Sequence, residues 1–355
     1  MPELPEAEAT RRLLAATAVG RQVRELVLTD QRSGARDGLF DDRVYASSAA
    51  AFASALGGAF VVGAARRGKQ LWLSLARSAA APPHAALLIH LGMTGACVAR
   101  GVRPLRFASF RVEASVWPPR HTKLELRLDD GGALAYADPR RLGRIALAGG
   151  EPLGAAPLAL LARDPLIDPP ARAEFGAALR RFPSAVKAVL LDQRRLVCGV
   201  GNWVADEVLF HARVLPSARA AALSDAQCRA IHEALLRVCR EACECEADSS
   251  RFPATWLFHH RWARQTTGSI DSPLGRIHFA TVAGRTTAFV PSVQRGAEGC
   301  AERNAPSRGG ESKADAAGRA AETTHKGGKR KSPSREACGE ASVRTRGSKR
   351  RCEAL

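Results

Sequence analysis

The spacing of apolar and polar positions divides the chain into an N-terminal helix, a strand-rich region and a helix-rich region. Residues 3–17 carry leucines at helical spacing and acidic groups early, which predicts an amphipathic helix with a favourable dipole. From residue 23 to about residue 147, short apolar or alternating runs are separated by Gly, Pro and Asp. This pattern is typical of an antiparallel sandwich or barrel. The predicted strands are VRELVL, FVVGA, QLWLSL, ALLIHLG, FASFRV, KLELRL and ALAYA.

Helical spacing replaces the strand pattern after a turn at residues 149–154. Ser224 and Asp225 offer an N-cap for the last of these helices. The predicted helices are ARAEFGAALRRF, SAVKAVLLD, WVADEVLFHA and SDAQCRAIHEALLRVC. Residues 255–290 return to strand-like segments, WLFHH, RIHFAT and TTAFV, which indicate a β-hairpin. The predicted fold class is therefore α+β, divided at 2–150, 151–250, 251–294 and 295–355.

The last part of the chain differs in composition from the rest. Residues 295–355 are rich in Gly, Ser, Ala, Glu, Lys and Arg with almost no large apolar side chain, which predicts disorder. Residues 296–355 carry 14 Lys and Arg against 8 Asp and Glu, whereas residues 1–295 carry 39 against 27. Most of the net charge of +18 therefore belongs to the folded part. Such an excess indicates a polyanionic partner, either nucleic acid or an anionic membrane surface.

Membrane and secreted classes are not expected. No apolar run approaches the roughly 20 residues that span a bilayer, and the N-terminus lacks the basic and apolar parts of a signal peptide. The nine cysteines are scattered, which favours a reducing compartment without a disulfide framework. Cys239, Cys243 and Cys245 form the one cluster, but their spacing does not match a zinc knuckle. We interpret them as helix residues rather than metal ligands.

The start of the chain, MPELPE, carries the first candidate chemistry. Removal of Met1 would expose Pro2 as a secondary amine, which can attack an electrophilic sugar carbon and form an iminium. Glu3 and Glu6 lie beside it, so a carboxylate is available for proton transfer. By itself, however, Met-Pro-Glu is also an ordinary way to begin a helix.

Other candidate side chains stand on glycine-containing turns. Lys69 follows RRG at the head of an apolar strand, from where it can reach a phosphate or sugar. Met93 in LGMTG, and Arg140 and Leu142 in DPRRLG, could enter a DNA stack when a nucleotide is flipped out, although core packing is the alternative for Met93 and Leu142. In GVGNWVADEVLF, Asn202 precedes a helix whose first amides suit a phosphate, although such turns also serve as plain helix caps.

Taken in order, PELPE, RRGK, HLGMTG, DPRRLG and GVGNWVADEVLF resemble the formamidopyrimidine-DNA glycosylase (Fpg/Nei) family. Five separated motifs over roughly 210 residues make this resemblance specific. It extends through ADSSRFP and GRTTAFVP and so covers residues 2–291. These two segments and WLFHHRW look most like plant-type members. The resemblance implies an N-terminal helix with a β-sandwich, then a helix-two-turns-helix domain with a hairpin finger.

The resemblance also implies catalytic roles. Pro2 matches the family nucleophile, which attacks C1′ of the damaged nucleotide, and Glu3 matches the carboxylate that protonates the opening sugar. Glu6 matches a further acidic residue of the same motif. Lys69 matches the lysine that contacts phosphate near the lesion and assists catalysis.

DNA-binding roles follow in the same way. Met93, Arg140 and Leu142 match the trio that fills the gap left by the everted base, and they are called the wedge residues below. Arg140 is expected to contact the orphaned partner base. Asn202 and Arg285 match residues that bind backbone phosphates flanking the lesion.

Three features depart from the family pattern. Bacterial fingers hold zinc with four cysteines, but no cysteine lies between Cys245 and Cys300, so we expect a zincless finger whose rigidity comes from packing and backbone pairing alone. Leu142 stands where many members have Phe, which leaves lesion preference open. The turn before Asn202 is one residue longer than usual, and we expect a slightly larger loop with the Asn202 site retained.

The function implied is a bifunctional DNA glycosylase/AP lyase. It would remove oxidised purines, formamidopyrimidines and 8-oxoguanine, from damaged double-stranded DNA through a Schiff base and β,δ-elimination, as a monomer without metal or organic cofactor. The alternatives are a Nei-like glycosylase for oxidised pyrimidines and a non-catalytic DNA-binding protein. KGGKRK at 326–331 and SKRR at 348–351 favour a nuclear location, with a bacterial-like cytoplasm as alternative, and the tail could equally be a DNA tether or solvated chain.

Overall fold

The structure is a computed structural model that describes residues 2–108, 111–113, 115–262 and 268–296. These residues belong to one compact unit, Met1–Arg303. Apart from its first two residues, the predicted tail lies outside the described residues. None of the described helices combines the length and apolar character needed to cross a bilayer.

The strand-rich region is a two-sheet sandwich preceded by helix α1 (Leu4–Ala18). A short helix α2 covers Ala49–Leu56, and the strands are β1 (Val23–Val27), β2 (Phe60–Arg67), β3 (Gln70–Ala76), β4 (Ala85–His90), β5 (Ala96–Ala99), β6 (Thr122–Leu128), β7 (Ala133–Ala137) and β8 (Arg144–Gly149). They form antiparallel sheets of order β1-β6-β7-β5 and β2-β3-β4-β8. Because side chains alternate across each strand, Leu73 and Ile89 of one sheet meet Leu124 and Tyr136 of the other in one core.

The helix-rich region contains four further helices. They are α3 (Arg172–Arg180), α4 (Val186–Leu191), α5 (Asn202–His211) and α6 (Asp225–Glu244). Ser224 caps α6 as predicted, with its side chain accepting from the Gln227 amide. Leu4 at the start of α1 is fully buried in the core of these helices, so α1 joins the sandwich to the helical region.

A three-stranded sheet follows α6. Its strands are β9 (Ser269–Ile270), β10 (Ile277–Val282) and β11 (Arg285–Phe289), in the order β11-β10-β9. Val282 pairs with Arg285, so the β10–β11 turn consists of Ala283 and Gly284, which both have positive φ, as a two-residue hairpin requires. Ile277 of β10 packs with Phe210 of α5, which attaches the hairpin to the helical region.

The α+β class is confirmed, but several local predictions were wrong. WLFHH was expected to be a strand, yet Leu257–His259 forms a 3₁₀ turn because the buried carboxylate of Glu207 accepts the amides of Leu257 and Phe258 at 3.0 and 2.7 Å. The described part of FASFRV is not a strand, since Phe107 packs against α1 instead. Helix α2 and strands β5 and β8 were not predicted. The divisions at 150, 250 and 294 stay a prediction.

Candidate active site

The candidate catalytic residues at the start of the chain are buried where α1 meets α5. Pro2 is buried, and Glu3 and Glu6 are 2% and 4% exposed. The Glu3 amide donates to Glu6 Oε2 at 2.9 Å, and the Leu4 amide donates to the Gly199 carbonyl at 3.0 Å. The first turn of α1 is therefore fixed both within itself and to the segment that precedes α5.

The carboxylate of Glu3 binds the N-terminus of α5. Its Oε1 accepts the Trp203 amide at 2.9 Å and its Oε2 accepts the Val204 amide at 3.0 Å. Unpaired amides and the helix dipole favour a negative charge at this position. The sequence suggested that the first amides of this helix bind a DNA phosphate, but those of Trp203 and Val204 are occupied by Glu3. The phosphate-binding role of Asn202 itself stays a prediction.

The approach of Glu3 to α5 depends on Gly201, the N-cap of that helix. A Cβ atom at Gly201 would lie 2.7 Å from Glu3 Cγ and closer still to the carboxyl carbon. Real Cβ atoms do not approach other carbons so closely, so any larger residue would displace Glu3. The GVGN motif therefore makes room for the candidate acid.

Glu6 shares this buried space. Its Oε1 accepts from the indole Nε1 of Trp203 at 3.1 Å, so both carboxylates contact the same residue of α5. Burial, reinforced by the charge of Glu3, raises the pKa of Glu6 to about 7. Glu6 can therefore hold a proton near neutral pH.

Lys69 reaches the same place from the sandwich. It lies on the turn between β2 and β3, and its Nζ donates to the Val200 carbonyl at 2.9 Å. The turn is held from beneath by Asp164, which accepts the Gly68 amide at 2.7 Å and pairs with Arg66. Burial lowers the pKa of the Lys69 ammonium, although the nearby carboxylates oppose this shift.

Asn202 and Arg285 complete one side of the site. Asn202 is the first residue of α5, and its Nδ2 donates to the Thr286 carbonyl at 2.9 Å, next to Arg285. Its Oδ1 is buried and has no hydrogen-bond partner among the described residues. Arg285 is exposed at the start of β11. Burial is the main cause that lowers the pKa of Lys69, the two carboxylates oppose it, and the charge of Arg285 makes a smaller lowering contribution. Asn202 and Arg285 thus lie beside the candidate catalytic residues.

The wedge residues lie on turns at the Lys69 end of the β2-β3-β4-β8 sheet. Gln70 pairs with His90, and His90 pairs with Arg144. The turns that precede β3, follow β4 and precede β8 therefore meet at the same end of the sheet. The side chains themselves are exposed, Met93 to 40% and Leu142 to 38%, and Arg140 is exposed as well. Their exposure excludes core packing, the alternative for Met93 and Leu142.

Buried Asp138 joins the two wedge turns. It accepts from the Thr94 hydroxyl at 2.8 Å, beside Met93, and from the amides of Leu142 and Gly143 at 2.8 and 2.7 Å. The sequence alone did not indicate this role, although Asp138 opens the DPRRLG motif.

Arg141 holds the second wedge turn from its other side. Its guanidinium donates to both carboxylate oxygens of Asp41 at 2.7 and 2.8 Å, and Asp41 is fully buried. Burial alone would raise the pKa of Asp41, but Arg141 and Lys123 lower it to about 2. Arg141 has a φ of +55°, so this ion pair maintains a conformation that non-glycine residues seldom adopt. No sequence motif pointed to Asp41.

The cysteines among the described residues do not form a metal site. Cys239 and Cys243 are buried in the core on α6, and Cys245 is the residue that ends it. The hairpin strands contain no cysteine and so do not fit the four-cysteine zinc site expected in bacterial fingers.

Comparison with known proteins agrees with this architecture. The formamidopyrimidine-DNA glycosylase N-terminal domain matches residues 1–145, and the formamidopyrimidine-DNA glycosylase H2TH domain matches residues 161–254. A formamidopyrimidine-DNA glycosylase of Arabidopsis thaliana is 35% identical over 297 residues, which are 83% of this chain and 71% of that protein. The fold and site define a DNA glycosylase with a helix-two-turns-helix domain. The chain belongs to the formamidopyrimidine-DNA glycosylase family of enzymes.

Solved structures show the same fold. The MutM (Fpg) protein from Thermus thermophilus is similar with a TM-score of 0.60 and 30% identity, over 82% of this chain and 98% of that one. The complex of Lactococcus lactis Fpg with abasic-site-containing DNA gives a TM-score of 0.64 and 25% identity, over 82% of this chain and 99% of that one.

Proposed function

We propose that this protein is a bifunctional DNA glycosylase and AP lyase that removes oxidised purines from duplex DNA. The observation that carries the proposal is the burial of Glu3 and Glu6 beside Pro2, with Glu3 held by the first amides of α5. The shared name of the relatives, formamidopyrimidine-DNA glycosylase, supports ring-opened purines as the first substrate class.

The first step uses the amine of Pro2 after removal of Met1. Its nitrogen forms a bond to C1′ of the everted nucleotide, and the bond from C1′ to the base breaks, so the base leaves with the electron pair and takes up a proton. The amine proton of Pro2 passes to the Glu3 carboxylate. The C1′–O4′ bond then opens while Glu3 gives this proton to O4′, which leaves an iminium between Pro2 and the sugar.

The iminium makes strand cleavage possible. It acidifies the protons on C2′. Loss of one of these protons to a general base expels the 3′-phosphate by β-elimination. A second, δ-elimination expels the 5′-phosphate, and water then releases the sugar fragment from Pro2. Lys69, with a lowered pKa beside both carboxylates, is placed to assist proton transfer or to neutralise a phosphate.

Binding to DNA relies on two sets of residues. Lys69, Asn202 and Arg285 are proposed to bind phosphates, while the wedge residues fill the gap in the stack and offset an unstacking cost of a few kcal/mol. The similar Lactococcus lactis structure was solved with abasic-site-containing DNA, which supports damaged DNA as the partner. We expect a monomer, which sedimentation would check.

Borohydride trapping tests the proposal directly. Duplexes carrying formamidopyrimidine, 8-oxoguanine, an oxidised pyrimidine or no lesion are incubated with the protein, with an N-terminally extended version and with a matched C-terminally extended control. We expect a covalent adduct on the purine lesions, its loss in the N-terminally extended protein and its retention in the control. An undiminished adduct in the N-terminally extended protein would exclude the Pro2 amine, and trapping restricted to oxidised pyrimidines would favour the Nei-like alternative.

A nuclear location is also proposed, from KGGKRK and SKRR in the tail. The location can be measured with residues 296–355 fused to a fluorescent protein. One fusion carries the natural tail, and the other carries Ala substitutions in both basic runs. We expect nuclear enrichment only for the unsubstituted tail, and equal distribution of both fusions would contradict it.

A further inference from the structure

A buried carboxylate on α5 joins four parts of the chain. Asp206 is fully buried, and its Oδ1 accepts from Lys187 Nζ of α4 at 2.6 Å. Its Oδ2 accepts from Arg261 Nη2 at 2.8 Å and from the Ala288 amide of β11 at 3.1 Å. Lys187 Nζ also donates to the Thr287 hydroxyl of β11 at 2.7 Å. We call Lys187, Asp206 and Arg261 the hairpin ion cluster.

This cluster corrects one expectation from the sequence. The hairpin was expected to be held by packing and backbone pairing alone, but charged side chains also hold it. Lys187 is fully buried and Arg261 is 9% exposed, so both cations depend on Asp206 as their counterion in a poorly solvated place. The attachment is therefore sensitive to the charge of one residue.

The cluster also fixes the register between α5 and β11. Asn202 and Asp206 are four residues apart and so lie on the same face of the helix, one turn from each other. Asn202 contacts the Thr286 carbonyl, and Asp206 contacts the Ala288 amide two residues further along the strand. Two such contacts prevent β11 from sliding along α5. Because Arg285 directly precedes Thr286, its position relative to Asn202 follows from them.

We propose that Asp206 is a positioning residue, which through the hairpin ion cluster holds Arg285 and Asn202 in the geometry that binds the DNA backbone. The proposal rests on the phosphate-binding role given to Arg285 under the proposed function. Asp206 itself contacts no DNA, since it is buried beneath β11. Its contribution to binding is made only through the residues that it places.

The experiment is a double-mutant cycle on DNA affinity. Dissociation constants for a duplex with a tetrahydrofuran abasic-site analogue are measured for the parent, Asp206→Asn, Arg285→Gln and the double variant. We expect Asp206→Asn to weaken binding about tenfold in the parent background and by less than about twofold in the Arg285→Gln background. The slope of log Kd against log salt should fall by about one in both single variants.

Two further variants separate positioning from loss of fold. Asp225→Asn, which breaks the exposed ion pair with Arg180 in the same region, is the matched control and should leave affinity unchanged. If Asp206→Asn does not fold, Thr287→Val is the second variant. It retains the whole ion cluster but removes the bond from Lys187 to β11 and the bond from the Thr287 hydroxyl to the Arg285 carbonyl, and it should give a smaller loss of the same kind. Hydrogen exchange should accelerate at residues 285–289 in the folded variants, while the α6 amides keep the parent rates.

Several results would overturn the proposal. Equal losses from Asp206→Asn in both backgrounds would show that it does not act through Arg285, and parent affinity in folded Asp206→Asn would show no role in binding. Parent affinity in Arg285→Gln would remove the phosphate contact on which the proposal rests. Coupled losses in affinity without any borohydride adduct would instead contradict the proposed chemistry and leave the positioning role supported.

Discussion

The carboxylate pair at the start of α1 and the wedge residues are held by the chain in different ways. Glu3 and Glu6 are themselves buried, and backbone amides and an indole of α5 fix their oxygens directly. The wedge side chains are exposed, and only the turns beneath them are fixed, through Asp138 and Asp41.

The difference follows from what each region is proposed to do. Acid catalysis depends on the position of individual atoms, so its groups gain from rigid main-chain partners. An inserted side chain has to adapt to stacked nucleobases. A turn whose backbone is fixed and whose side chain is free at its end is therefore sufficient. We therefore expect substitutions near Glu3 to cost more activity than substitutions among the wedge residues.

The largest effect is expected from Gly201→Ala, because the added Cβ displaces Glu3 from α5. Single-turnover excision should slow by about a hundredfold or more. Gly154→Ala is the matched control, since a Cβ there meets no atom within 4 Å. Glu3→Gln, which leaves the backbone unchanged, should cause a loss of similar size, and parent-like rates in both variants would refute the role of Glu3.

The next effect concerns Glu6 and pH. Its pKa of about 7 in the folded protein lies above the ordinary 4.5, so the folded state binds more protons between these values and stability falls as pH rises through this window. Relative to Glu6→Gln, the parent should lose up to about 3 kcal/mol of unfolding free energy between pH 4.5 and pH 8. Denaturant titrations of both proteins at each pH measure these unfolding free energies. A difference between the two proteins that does not change with pH would contradict the raised pKa of Glu6.

A smaller effect is expected from Leu142→Ala, because it shortens a side chain that is already exposed. Excision from duplex DNA should slow by about tenfold, with single-stranded substrate little affected, since a single strand leaves no stacked gap to fill. Leu153→Ala, with a similar exposed fraction of 42%, is the control. Equal slowing on both substrates would argue against insertion.

The smallest effect is expected from Asp41→Asn, which weakens the hold on Arg141 and only indirectly shifts Arg140. The ratio of excision rates opposite cytosine and opposite adenine should change a few-fold, corresponding to about 1 kcal/mol or less. Asp42→Asn, the exposed neighbour, should retain the parent ratio. An unchanged ratio in folded Asp41→Asn would separate this ion pair from recognition of the opposite base.

The sequence located the candidate groups because they stand in short motifs. Pro2, Glu3, Lys69 and Asn202 each follow a local pattern, and strand alternation and helical spacing gave the class of fold. The sequence could not reveal hydrogen bonds and ion pairs between distant segments. Examples are the contacts of Glu3 with the α5 amides, of Asp41 with Arg141 and of Asp206 with β11. These depend on tertiary packing, which local spacing does not encode.

The central claim is that the amine of Pro2 is the nucleophile, and Lys69 is the amine nearby that could compete with it. The direct test is peptide mapping by mass spectrometry of the borohydride-reduced complex with formamidopyrimidine-containing DNA. We expect the sugar remnant on the N-terminal peptide, attached to Pro2 with Met1 absent. A remnant on Lys69, or on a chain that retains Met1, would contradict the account.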